Sequence, residues 1–174
     1  MTSVIRPAVI RLATPADLPG ILEIYNDAVL NTTASYDLEP ATLQSREEWF
    51  AARQRAGFPV FVAQGEGGTV LGFASYGTFR EKPGYNGTVE HSVYIRDGQR
   101  GAGLGLALME RLIAEARAQH LHVMLGSVDA DNAGSIAFHE RLGFRQVAHF
   151  HQVGRKFGRW LDMVFVELLL DEES

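Results

Sequence analysis

The stretch Gln99-Arg100-Gly101-Ala102-Gly103-Leu104-Gly105 stands between a β-type run, Thr88 to Ile95, and a helical apolar stripe of Leu104, Leu108, Met109, Leu112, Ile113 and Ala116 that ends near Gln119-His120. Its position decides the fold class. A glycine-rich turn that leaves a strand and opens a helix aims successive backbone N–H groups at one anion, and the helix dipole adds partial positive charge there. The plain alternative is a flexible turn before a helix. A dinucleotide fingerprint needs a third glycine at Leu106 or Leu108, although Asp129, at the end of the next strand, imitates a ribose-binding acid. A P-loop needs Gly-Lys-Ser/Thr where this chain has Gly105-Leu106-Ala107.

Working outward, Val9 to Ala13 reads as a strand, and Thr14-Pro15-Ala16-Asp17 opens a helix whose stripe is Leu18, Ile21, Leu22, Tyr25 and Val29. Ser45 with Glu48 reads as the capping box of a second helix that closes near Gly57-Phe58-Pro59, with Trp49 and Phe50 as its anchors. Val60 to Ala63 and Val70 to Tyr76 form a hairpin around Gly65-Glu66-Gly67-Gly68, and Thr88 to Ile95 follows the loop Pro83 to Gly87. Val123 to Val128 is a strand. Asn132 to Leu142 is a short helix with Gly143 at C′, and Phe144 to Val153 and Leu161 to Leu170 finish the chain as two strands around Gly154 and Gly158. The order βααβββαβαββ predicts one α/β (α+β mixed) domain over residues 1–174, with its core at about 9–170.

Composition agrees. The 174 residues are 46% hydrophobic and 21% charged, enough apolar content for one buried core. A net charge of −5 with no basic block predicts no nucleic-acid partner. The absence of cysteine excludes a disulfide framework, a thiolate metal site and a cysteine nucleophile. Met163 to Leu170, broken by Glu167, is far short of a membrane span, and Met1 to Ala8 has no export-signal core, so a cytoplasmic location without membrane attachment is expected.

Alternation along Thr88 to Ile95 puts Thr88, Glu90, Ser92 and Tyr94 on one face and Val89, His91, Val93 and Ile95 on the other. A carboxylate in mid-strand marks either a site or a solvated sheet end. A half-buried glutamate with a raised pKa suits a general base. His139 shares a stripe with Ile136 and Leu142, which burial alone explains. Asn132 reads as a helix N-cap. The pairs His120/His122 and His149/His151 have no carboxylate at ligand spacing, so no metal is expected.

Arg100, Gly103 and Gly105 match the Gln/Arg-x-x-Gly-x-Gly/Ala loop of the GNAT superfamily of N-acetyltransferases, and Asn132 to Phe144 resembles its later helix with a Gly-Phe exit. Thr88 to Ile95, Lys156 to Asp162, Ala74 to Gly77 and Asn31 to Ala34 narrow the resemblance to its phosphinothricin and methionine sulfoximine acetyltransferase family. The resemblance implies a mixed, mainly antiparallel sheet with helices on both faces, acetyl-CoA as co-substrate and no metal. It implies cofactor contacts at Val93, Tyr94, Ile95, Arg100, Gly101, Ala102, Gly103, Leu104, Gly105, Leu106 and Asn132, with oxyanion donors among the N–H groups near Val93 to Ile95. It makes Glu90 the general base and His139 an acid, an accessory base or a substrate contact. Arg80, Glu81, Lys82, Tyr85 and Tyr36 become acceptor-binding candidates, the acceptor being a small amino-acid-like amine, and a homodimer is implied. The rivals are a non-catalytic acyl-CoA or nucleotide-binding module, which needs no carboxylate at Glu90, and a superfamily enzyme for peptides or polyamines.

Overall fold

Strand β1 (Val9–Leu12) leads into a single 3-10 turn, Pro15–Asp17, and then α1 (Leu18–Asn31), in a computed structural model that describes residues 8–171. The absence of an export signal, read from the first residues, concerns positions 1–7, outside the described residues. The α-helix begins a few residues later than the cap suggests. Pro19 has no N–H to return to the Pro15 carbonyl, so Leu18 closes a tighter bond to it instead. Asp17 fixes this corner: its carboxylate accepts from Arg11 at 2.7 and 2.8 Å and from the Thr14 N–H at 2.8 Å.

The Arg11 fork holds the Asp17 carboxyl below its usual range. A depressed folded-state pKa contributes stability above the unfolded value of about 3.9, lost as pH falls through the folded value. Asp17→Ala is expected to cost about 2 kcal/mol at neutral pH. That is a Tm lower by about 4–8 °C, read by calorimetry, and the gap to the parent protein should close on acidification.

Helix α2 (Leu43–Ala56) starts from Thr42, not Ser45. Thr42 Oγ1 accepts from the Ser45 N–H at 3.1 Å and Ser45 Oγ from the Thr42 N–H at 3.2 Å, so Ser45 is the third residue of a box that begins earlier. The remaining elements are β2 (Val60–Gln64), β3 (Val70–Thr78), β4 (Thr88–Ile95), α3 (Leu104–Ala118), β5 (Val123–Asp129), α4 (Ala133–Arg141), β6 (Arg145–Lys156) and β7 (Arg159–Leu169). Strand β6 runs past the expected Val153 to Lys156, and the hairpin turns at Phe157 and Gly158, both at positive φ.

The seven strands lie in the order β1-β2-β3-β4-β5-β7-β6, and only β4 and β5 are parallel. That excludes the doubly wound dinucleotide fold. Alternation sends Val60 and Val62 to pack with α1 and Phe50, and Phe61 and Ala63 to pack with α3, so helices cover both faces. Among the described residues no helix is long and apolar enough to cross a membrane.

One irregularity positions the site. Strands β4 and β5 pair only over Thr88–Glu90 with Val123–Leu125; beyond that β4 stays with β3 as far as Ile95 while β5 follows β7 to Asp129. The sheet therefore splits.

Candidate active site

The Arg96 N–H donates to Leu71 of β3 at 2.8 Å. Successive N–H groups of a strand alternate sides, so those of Val93 and Ile95 point away from β3 into the split. Beside them lies a cleft of about 860 Å³ lined by Val93, Tyr94, Ile95, Arg100, Gly101, Gly103, Leu104, Gly105, Leu106 and Asn132, all expected as cofactor contacts. Ala102, also expected, does not line it.

Gly101 and Gly103 have φ of +84° and +78°, and a Cβ on either would meet nothing within 4 Å. Backbone conformation, not space, requires glycine there. The first N–H groups of α3 have no partners within the helix, and they open on this cleft. Gly105, which lines the cleft, also lies inside α3, where its Cβ would come 3.3 Å from the Phe138 ring, so it serves helix packing as well. Asn132 caps α4 through Oδ1, which accepts from Ser135 N–H at 3.0 Å, and it also borders the cleft.

A second cavity of about 330 Å³ adjoins the first, sharing Thr33, Ala34, Val93, Tyr94, Asn132 and Ser135. Its wall also includes Tyr36, His91, Ser92, Ser127, Asp129, His139 and Met163. Lys156 is 4% exposed, and its ammonium, pushed down by burial, donates to the carbonyls of Thr32 (2.8 Å) and Ser35 (2.6 Å). This clamps the partition between the cavities, and Thr33 Oγ1 bonds Asp129 below it. Tyr36 fits because β6 has Gly154 beneath it, where a Cβ would lie 2.4 Å from the ring. Among the described residues its buried hydroxyl has no partner.

Glu90 is half-buried on β4, in register with Gly77 and Leu125, and burial pushes its carboxyl pKa up. It lines neither cavity. Ser92, on the same face, does, and two residues along a strand is about 7 Å. His139, on the expected inward stripe, is fixed by more than apolar burial: Nδ1 lies 2.7 Å from the Ser135 carbonyl oxygen and Nε2 lies 3.0 Å from Nε2 of His91.

Arg80, Glu81, Lys82 and Tyr85 are exposed on the β3–β4 connection and line neither cavity. They reach the smaller cavity indirectly. Tyr85 packs on Phe79 (5.8 Å between ring centroids), Phe79 on Phe165 (6.3 Å), and Phe165 is in register with the cavity residue Ser127. The carboxylate missing beside His149 and His151 in the sequence comes from across the hairpin, where Asp162 bonds His149 at 2.9 Å and three ligand-type atoms fall within 4.8 Å.

Sequence reasoning missed His91, Ser127, Lys156 and Met163, and took Asp129 only as a ribose acid. His91 had one signal, a histidine on the otherwise apolar face of Val89, Val93 and Ile95. The others are joined to the site only by tertiary contacts.

A sheet that splits beside a glycine loop and a helix N-terminus defines a cleft for a phosphate-bearing ligand. Residues 10–165 match the acetyltransferase (GNAT) domain model. An L-methionine sulfoximine/L-methionine sulfone acetyltransferase of Pseudomonas paraeruginosa is 57% identical over 164 residues, which is 94% of this chain and 95% of that protein. An acetyltransferase from Salmonella typhimurium, solved with its cofactor acetyl-CoA, superposes with a TM-score of 0.93 at 46% identity and covers 97% of each chain. A phosphinothricin acetyltransferase from Sinorhizobium meliloti, solved with acetyl-CoA, gives 0.91 at 35% identity over 94% of this chain and 89% of that one. The chain belongs to the GNAT acetyltransferase family.

Proposed function

We propose that the protein moves the acetyl group of acetyl-CoA directly to the amino group of a small amino-acid-like acceptor of the methionine sulfoximine or phosphinothricin type. The observation that carries this reading is the meeting of two cavities at the split strand, one bounded by the glycine loop and one by polar side chains. The residues present fit the cofactor: left-handed glycines, free helix N–H groups and Arg100 suit its phosphates, and the split leaves room for its pantetheine arm. Bound acetyl-CoA supplies an activated thioester. The Val93 and Ile95 N–H groups meet the oxygen that gains charge when the amine adds. Glu90 takes the amine proton through a water near Ser92, a distance that direct contact does not span.

The volume of the acceptor cavity, about 330 Å³, fits a free amino acid rather than a folded peptide. Tyr36 offers a hydroxyl to the acceptor, and Asp129 an acid for its ammonium before deprotonation. Arg80, Glu81, Lys82 and Tyr85 form the outer rim, where the Arg80 fork suits a carboxylate or a phosphinyl oxygen pair. Arg80→Ala is expected to raise KM for such acceptors by roughly tenfold, about 1.4 kcal/mol, with acetyl-CoA binding unaltered. A homodimer forms through the β6–β7 hairpin, supported by its exposed Val147, Phe150, Val153, Phe157 and Trp160. Light scattering at micromolar concentration reads that state. The protein acts in the cytoplasm, where acetyl-CoA is made.

The deciding test is release of free CoA with acetyl-CoA and a panel of amino acids, sulfoximines, phosphinic amino acids, polyamines and peptides. Highest kcat/KM on the sulfoximine or phosphinic amino acids is expected. Spermidine or a peptide amine as the better acceptor would overturn the reading.

A further inference from the structure

The Nδ1 atoms of His91 and His139 lie 2.9 Å and 2.7 Å from the carbonyl oxygens of Leu125 and Ser135. A carbonyl oxygen only accepts, so both Nδ1 atoms carry protons. In two neutral rings that leaves both Nε2 atoms bare, and these face each other at 3.0 Å. Two lone pairs at that distance repel, and two protons do not fit between them. One proton satisfies all three contacts. Reversing either ring to the other neutral tautomer would instead set its Nδ1 lone pair against a carbonyl oxygen.

We propose that His91 and His139 share one proton between their Nε2 atoms, forming a buried imidazole–imidazolium pair that presents a single positive charge to the acceptor cavity. His91 is then a positioning residue: it holds His139 in one orientation and keeps the charge in place. An independent feature of the fold supports this, because Gly126 of β5 lies against the His91 ring, where a Cβ would come 2.4 Å from Cε1. The Phe144 ring packs on both imidazoles, 5.2 and 5.4 Å between centroids, and aromatic rings tolerate a cation. Burial pushes the pKa of both rings down, so the shared proton is held against burial by the Nε2–Nε2 contact, and repulsion between two charged rings excludes a second one.

The other titratable groups facing this cavity are Asp129 of β5, Tyr94 of β4 and Tyr36 of the segment after α1. Glu90 lies on the other face of β4 from His91, the face of Ser92 and Tyr94, and Glu140 and Arg141 of α4 are exposed. With both nitrogens of His139 engaged, the pair acts by its field rather than by handing a proton to the departing thiolate. A fixed cation opposes the ammonium form of the acceptor and favours the free amine that attacks. This consequence rests on the acetyl-transfer reading; the shared proton does not.

The experiment is 15N NMR of histidine-labelled protein without substrate near pH 7. Both Nδ1 atoms of one coupled pair should resonate as protonated and both Nε2 atoms at intermediate positions. A bare Nδ1 on either ring would falsify the shared proton, whatever reaction the protein catalyses. His91→Gln keeps a donor to His139 without the charge. It should lower kcat by roughly tenfold and move the midpoint of its pH profile upward, toward the free amine, while acetyl-CoA affinity holds. A Gln variant with the parent profile and kcat would overturn the positioning role.

Discussion

Glu90→Gln is expected to lower turnover by roughly 10²- to 10⁴-fold, or about 3–5 kcal/mol of transition-state stabilisation, with acetyl-CoA affinity unchanged. The substitution keeps the shape of the side chain in its half-buried place on β4 and removes only its ability to take a proton. Because burial raises the Glu90 pKa, the carboxyl is protonated and idle at low pH and becomes a base as pH rises through that value. The acidic limb of kcat/KM should therefore show an inflection above the ordinary carboxylate range, and the Gln variant should lack it. The defect should also shrink at a pH where the acceptor is already a free amine. An undiminished defect there would make Glu90 an orienting group. Initial rates of CoA release across pH, for both proteins, decide between these outcomes.

The reach of the sequence follows from which information is local. Strand β4 was readable residue by residue because a period of two assigns faces without any partner, and the same period put Glu90 beside Ser92 and His91 beside Val93. The glycine loop was readable because it lies in one continuous stretch. What escaped was each contact that joins distant segments. Lys156 clamps Thr32 and Ser35 from more than a hundred residues away, and Gly154 makes room for Tyr36 across a similar separation. The His91–His139 bond joins a strand to a helix, and neither residue's own neighbourhood announces the other. Even the split of the sheet is a pairing property: β4 looks like an ordinary strand throughout, and only the early departure of β5 shows that its second half faces a gap. Helix starts failed for a different reason. The reciprocal box of Thr42 and Ser45 puts Ser45 at the third helical position rather than at the cap, and at Pro15 and Pro19 two prolines shift the first α-helical bond.

Gly103→Val should weaken acetyl-CoA binding by on the order of 10²-fold in a protein that remains folded. At φ +78° a β-branched residue is strained by roughly 1–3 kcal/mol, and no neighbour within 4 Å stops the loop from relaxing away from that conformation. Relaxation turns N–H groups away from the phosphates, and each lost charge-assisted hydrogen bond costs about 1.5–3 kcal/mol. One or two such losses give the expected change in Kd. Gly105→Ala provides the contrast. It introduces no strain in φ, and its Cβ instead presses on the Phe138 ring at 3.3 Å, so it should lower Tm more than it alters Kd. Arg100→Ala separates charge from conformation: in a chain of net charge −5 the attraction for a polyanion is local, so its loss should be largest at low salt. The Gly103→Val defect, being geometric, should persist at every ionic strength. Titration calorimetry of the three variants at low and high salt measures both patterns, and an unaltered Kd for folded Gly103→Val would remove the phosphate site from this loop.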